Sequence, residues 1–125
     1  MKTKPALMML ALTLFLATST LVTAAEPTVL RVVVVKADDV NAYVQQLEQG
    51  RALLKRLGSA GTVRAWRARF AGPETGTVVV SVEYPNMAAF AADEPKIAGS
   101  AEYQAWLKGL DKVRKVVSDS LYQEL

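Results

Sequence analysis

The sequence predicts one α+β domain with element order strand, helix, strand, strand, helix, strand. Three observations carry this: a valine-rich run at Val29–Ala37, a Gly/Pro-interrupted pair of strand-like runs between Thr62 and Tyr84, and two amphipathic helical stretches, one on each side of that pair. The chain has 125 residues, which leaves room for a single core once a leader is set aside. Its 51% hydrophobic and 22% charged residues, the first figure raised by the leader, are those of an ordinary globular chain, so a disordered chain is not expected.

Val29–Ala37 (VLRVVVVKA) is β-branched nearly throughout, which suits a strand covered on both faces and predicts the central position in a sheet. Asp38 and Asp39 then offer side-chain oxygens to the free amides of a helix start. Val40, Tyr43, Val44, Leu47, Leu54 and Leu57 recur at helical spacing, and Gly58 is the expected stop. Gly50 inside this stretch disfavours helix by roughly 1 kcal/mol relative to Ala. Thr62–Ala71 and Thr77–Tyr84 flank Gly72-Pro73-Glu74-Thr75-Gly76, a turn-forming stretch, and read as a hairpin. Alternation puts Trp66, Ala68 and Phe70 on one side of the first strand, and Val78, Val80, Val82 and Tyr84 on one side of the second; the two sets are expected to share a face. Setting Phe70 opposite Val78 then places Arg67 against Ser81 and Arg69 against Val79, with Glu83 diagonal to Arg67.

Asn86 is the expected cap of a short helix from Met87 to about Glu94, which Pro95 interrupts. A further helix begins near Ser100 and carries an apolar stripe of Tyr103, Trp106, Leu107, Leu110 and Val113, with Lys112, Arg114 and Lys115 at its C-terminal end. Val116–Leu125 reads as the last strand. This order is the split βαβ arrangement of a ferredoxin-like βαββαβ fold, in which helices cover one face of a four-stranded antiparallel sheet. Val33 and Val35 fall on one face and Val32 and Val34 on the other, so the uncovered face is also apolar, and a two-fold homodimer is the expected cover.

The first 25 residues read as a signal peptide, and residues 26–125 as the domain. Lys2 and Lys4 form a charged start, Ala6–Leu16 is apolar, and Thr23-Ala24-Ala25 precedes the polar Glu26-Pro27. An uncleaved membrane anchor is the competing reading, but Thr18, Ser19, Thr20 and Thr23 make its second half too polar. A periplasmic or secreted location follows, with no membrane association after cleavage. Without Lys2 and Lys4 the fifteen cationic side chains become thirteen, against twelve anionic ones, and that near-neutrality removes the general argument for nucleic-acid binding.

Cysteine and histidine are both absent. Their absence rules out a disulfide framework, zinc sites built on Cys or His, histidine-ligated haem and every Ser-His or Cys-His triad. No metal site and no cofactor is expected, and Asp38-Asp39 is explained by capping.

The element order, the double-faced first strand and the segments Val82-Glu83-Tyr84-Pro85-Asn86-Met87-Ala88-Ala89-Phe90 and Ala101-Glu102-Tyr103-Gln104-Ala105-Trp106 resemble the dimeric α/β-barrel superfamily. That group includes NIPSNAP-like domains and antibiotic-biosynthesis-type monooxygenases. The resemblance covers the whole domain, rests on packing patterns, and implies the fold and a dimer; some members are cofactor-independent oxygenases or isomerases, and others that use haem need a ligand this chain does not provide as histidine.

Two groups of residues are candidates for a ligand site. Arg67 and Arg69, with Glu83 and Asp119 near them, suit an anionic or carbonyl-bearing ligand, although an interface ion-pair network explains them more simply. Trp66, Phe70, Tyr103 and Trp106 suit the wall of a small hydrophobic cavity, with core packing as the plainer explanation. No residue is assigned a catalytic role. The favoured function is a non-catalytic dimer that binds a small apolar or anionic ligand, or a protein partner. The alternative is a cofactor-independent monooxygenase- or isomerase-like enzyme acting on a small apolar or aromatic substrate, with acid-base work left to Asp, Glu, Tyr or Arg.

Overall fold

The computed structural model describes residues 25–125. The predicted signal peptide, residues 1–25, lies outside the described residues except for its last one.

Strand β1 (Val29–Lys36) is central, as its two-faced valine content predicts, and β3 (Val78–Tyr84) and β4 (Lys115–Gln123) flank it. With β2 (Thr62–Arg67) outside β3, the order is β2-β3-β1-β4, and every pairing is antiparallel. Helix α1 (Val40–Arg56) starts where Asp39 accepts a 3.0 Å hydrogen bond from the Ala42 N–H. Helices α2 (Met87–Ala98) and α3 (Ala101–Asp111) begin with the same device, Asn86 accepting from Ala89 N–H and Ser100 from Tyr103 N–H. The result is the ferredoxin-like α+β fold that the sequence predicts.

The core lies between the sheet and helices α1 and α3. Val35, Val78 and Val80 project from the sheet against Tyr43 and Leu47 of α1 and Leu110 of α3. Each such side chain contributes about 1.5–3 kcal/mol through burial. A second anchor ties α2 to the α1–β2 connection: the buried Asp93 carboxylate accepts from the Ser59 hydroxyl and from the Ala60 N–H at 2.9 Å, with Lys96 Nζ 3.5 Å away. Among the described residues no helix is long and apolar enough to cross a membrane.

Three local expectations are corrected. The hairpin pairs Arg67 with Val78, Trp66 with Val79 and Arg64 with Ser81, three residues away from the register set by placing Phe70 opposite Val78. An odd shift exchanges faces, so Val63 and Ala65 join Val78, Val80 and Val82 under the helices, and Trp66 goes to the other side. The cause is the connection, which is longer than the five turn residues. Strand β2 ends at Arg67, Gly76 N–H closes back on Ala68 O at 2.8 Å, and the Thr75 hydroxyl accepts from the Ala71 N–H, so Arg69, Phe70 and Ala71 belong to the loop. Gly72 and Gly76, with φ of 55° and 91°, supply the left-handed corners this path requires.

Pro95 does not interrupt α2, which runs on to Ala98. Proline forfeits only its own N–H bond, and its carbonyl still accepts from Gly99 N–H at 3.1 Å, so the last turn closes beyond it. Finally, β4 starts at Lys115 and carries a bulge opposite the Val34/Val35 step, where Val35 pairs with Val116 and Val34 with Ser118.

Candidate functional site

A cavity of about 320 Å³ lies between the sheet and helices α1 and α3. Its floor is Val33, Val63, Val80 and Val82, the face that the hairpin register turned inward. Leu47, Gly50 and Leu54 of α1 form one wall, and Tyr103, Trp106 and Leu107 of α3 form the other. Trp106 is held in place by donating from Nε1 to the Gln46 carbonyl at 2.8 Å, and its ring meets Tyr103 at a centroid distance of 5.4 Å. Gly50 makes this possible. A Cβ there would stand 2.2 Å from Trp106 Cζ2, so the glycine that weakens the helix is the one that lets the indole lie against it.

Charged groups border the cavity at both edges of the sheet, Arg31 and Asp119 on β1 and β4 and Arg51 beside β2. Arg31 occupies an inward position of β1 and Asp119 an inward position of β4, two positions apart in the register and so diagonal neighbours on one face. They form a two-pronged ion pair, Nε to Oδ1 at 3.0 Å and Nη2 to Oδ2 at 2.7 Å. That pair holds the Asp119 carboxyl below the ordinary carboxylate range and raises the Arg31 pKa further still. Arg114, just beyond α3, donates to Asp111 at 3.1 Å. Arg51 donates from Nε to the Val63 carbonyl at 3.2 Å and pairs with Glu48. Burial raises the Tyr103 phenol pKa, with Arg31 opposing the shift, so at neutral pH this group is a hydrogen-bond donor.

Because the folded Asp119 pKa is depressed, the stability this pair contributes is present above about pH 4, the ordinary carboxylate value, and disappears as pH falls through the lower folded value. Thermal melts between about pH 5 and pH 2 will therefore show a smaller decline for Asp119→Asn than for the parent. Equal slopes would mean that the ion pair is not kept in solution.

The candidates named from sequence separate. Tyr103 and Trp106 line the cavity. Trp66, 54% exposed, lies on the opposite sheet face, where its Nε1 donates to the Ser81 hydroxyl at 2.9 Å. Glu83 is on that face too, 3.9 Å from Arg64. Arg67 is exposed at the end of β2, and Arg69 and Phe70 are exposed in the loop that follows. The proposed proximity of Arg67 and Arg69 to Glu83 and Asp119 is thus replaced by two pairs, Arg64–Glu83 on the open face and Arg31–Asp119 in the cavity. Sequence reasoning passed over Arg31, Arg51 and Arg114 as cavity residues. A signal existed for Arg31, since an arginine inside a run of valines predicted to be covered on both faces demands a buried or half-buried partner.

Among the described residues no group of three or more Asp, Glu, His or Cys side chains is placed to hold a metal ion. No protein-family model and no curated protein sequence matches the chain. Solved structures do match. A NIPSNAP family protein from Agrobacterium tumefaciens superposes with a TM-score of 0.57 at 13% identity, over 78% of this chain and 91% of the other. A dimeric ferredoxin-like protein from an uncultured marine organism gives 0.56 at 17% identity, over 80% and 97%. SnoaB from Streptomyces nogalater, described as a cofactor-independent oxygenase, gives 0.54 at 15% identity, over 77% and 91%. At these identities the likeness is one of fold: the chain has the ferredoxin-like architecture that NIPSNAP proteins, antibiotic-biosynthesis-type monooxygenases and dimeric ferredoxin-like proteins share.

Proposed function

We propose that the protein is exported after loss of residues 1–25, and that residues 26–125 form a homodimer that binds a small ligand with an apolar body, without catalysis. The observation that carries this reading is the cavity of about 320 Å³ between sheet and helices, floored by valines and walled by Tyr103 and Trp106. Its volume falls in the range of sites for small molecules, and it combines apolar lining with a few charged groups at its margin. The leader pattern of the first 25 residues supports export.

The open sheet face supports the dimer. Leu30, Val32 and Val34 of β1 and Val79 of β3 make an aliphatic centre, flanked by the exposed aromatic rings of Trp66 and Tyr122, with the Arg64–Glu83 pair beside them. An apolar centre with aromatic residues and a polar margin is the composition of a protein interface. One of the solved proteins with this fold is described as dimeric.

The absence of catalysis is supported by the acid-base chemistry of the cavity. Asp119, engaged by Arg31, has a lowered pKa and is a weak proton acceptor, and Tyr103 holds its proton more tightly than a free phenol. A cofactor-independent monooxygenase- or isomerase-like enzyme is the second reading, favoured by the fold shared with SnoaB. It would need to work by confining a reactive apolar or aromatic substrate.

Native mass spectrometry of protein purified from the periplasm or medium of expressing cells tests the proposal. The expected species is a dimer of chains beginning near Glu26, and 2-naphthalenemethanol added to it should change the emission of Trp106. A bare monomer whose tryptophan emission the naphthyl compound leaves unmoved would overturn it.

A further inference from the structure

The three guanidiniums that line the cavity are not in the same state: Arg51 is engaged by Glu48 and by the Val63 carbonyl. Arg31 faces both oxygens of Asp119, and its fork is occupied. Arg114 reaches only Oδ1 of Asp111, through Nε and Nη2 at 3.1 Å each, which leaves Nη1 without a carboxylate. The burial is also unequal. The Arg114 side chain is 11% exposed, whereas the Asp111 side chain that should neutralise it is 58% exposed, so the cation is inside and its counter-charge is in water. A buried cation compensated so weakly is an unfinished arrangement. Beside Arg114 lies the fully buried Tyr43 hydroxyl, which makes no well-aligned hydrogen bond among the described residues and has the Arg114 guanidinium as its polar neighbour. Buried groups of that kind are rare in folded proteins and call for an explanation.

Arg114 also forms the boundary between the cavity and a second depression lined by Lys36, Lys112, Lys115, Asp38 and Asp39. None of those three lysines has an ion-pair partner among the described residues, and Lys36 and Lys115 are directly opposed in the β1–β4 register. Like charges so placed repel one another. With Arg114 they make four cations against the three carboxylates of Asp38, Asp39 and Asp111, a local field that favours an anion at this end of the cavity.

We infer that the cavity selects small aromatic or aliphatic carboxylates, with the apolar body on Val33, Val63, Val80 and Trp106 and the carboxylate on the free side of the Arg114 guanidinium. This rests on the reading of the cavity as a ligand site and adds the ligand's charge and the residue that reads it. Arg31 is set aside for that role because both oxygens of Asp119 engage it, and Arg51 because Glu48 and the Val63 carbonyl do, whereas Arg114 meets a single oxygen of an exposed carboxylate.

Binding of 2-naphthoate and of its neutral counterpart 2-naphthalenemethanol, followed by tryptophan emission and calorimetry on the purified protein, tests this. The carboxylate should bind about tenfold or more tightly in the parent protein, as expected of a charge-assisted pair, and should weaken as salt is raised. Arg114→Met should abolish the preference while leaving the alcohol's affinity within about threefold, and Arg114→Lys, which keeps the charge but not the fork, should retain part of it. Equal binding of the two compounds by the parent, or a preference that survives Arg114→Met, overturns the inference and leaves the ligand site standing. Failure of both compounds to bind overturns the ligand site and the inference with it. The parent comparison needs no variant to fold.

Discussion

Val32→Asp is expected to turn the proposed homodimer into a monomer in sedimentation equilibrium while the far-UV circular dichroism stays unchanged. Val32 sits in the middle of the open sheet face, opposite Ser81 on β3 and Ser120 on β4, and in the single chain it is only half-buried. A carboxylate there remains in contact with water in the isolated protomer, so the fold tolerates it. Packed against a second sheet it would lose that water with no cation at the same position to receive it. The expected loss is about 100-fold or more in dimer affinity, roughly 3 kcal/mol. The neighbouring Val34 is a poorer site for this test, because it is already buried within the protomer and a charge there would damage the fold itself. A Val32→Asp protein that remains a tight dimer would move the interface elsewhere, with the exposed edge of β4 and its apolar Val116, Val117 and Leu121 as the next surface to examine.

Gly50→Ala is expected to destabilise the protein, against the usual effect of that substitution in a helix. Considered by itself, α1 would gain roughly 1 kcal/mol from alanine. In the folded chain the new methyl group would stand 2.2 Å from Trp106 Cζ2 and 2.7 Å from Cε2, and the indole has to move. Moving it breaks the bond from its Nε1 to the Gln46 carbonyl and disturbs the contact with Tyr103. Overpacking of this kind outweighs the helix gain and leaves a net loss of about 2 kcal/mol, or a Tm lower by about 10 °C for a domain of this size. Calorimetry gives the Tm, and the emission of Trp106, whose ring would leave the cavity wall, gives the structural cause. An unchanged or raised Tm would show that the indole is not held against α1 in solution.

The contrast between these two residues shows how far the sequence could be read. Two-faced β-branching at Val29–Lys36 identified the central strand and the need for a cover on both sides, because alternation along a strand is a local property that sequence displays directly. The caps Asp39, Asn86 and Ser100 were legible for the same reason, since each acts on an amide three residues away. Gly50 was legible only as a defect. Its purpose depends on Trp106, 56 positions later and on another helix, and no local pattern connects the two.

The cavity follows the same division. Tyr103 and Trp106 could be picked out as an aromatic wall because they lie on one stripe of one helix. The floor could not, since it depended on the register of the β2–β3 hairpin. There the apolar alternation of Trp66, Ala68 and Phe70 competed with that of Val63 and Ala65, and the longer loop that excludes Arg69 to Ala71 decided between them. The electrostatics depended on still longer connections: Arg31 and Asp119 are 88 residues apart and meet only because β1 and β4 are neighbours.

By itself, then, the sequence determined the class of fold, the order of its elements, the position of the central strand and the chemistry that the lack of histidine and cysteine removes. The tertiary structure decided which face each β2 residue occupies, which arginines reach the cavity and which carboxylate each one meets. The reason is physical: propensity, capping and periodicity act over a few residues along the chain, whereas register and ion pairing depend on which distant segments the closed sheet brings side by side.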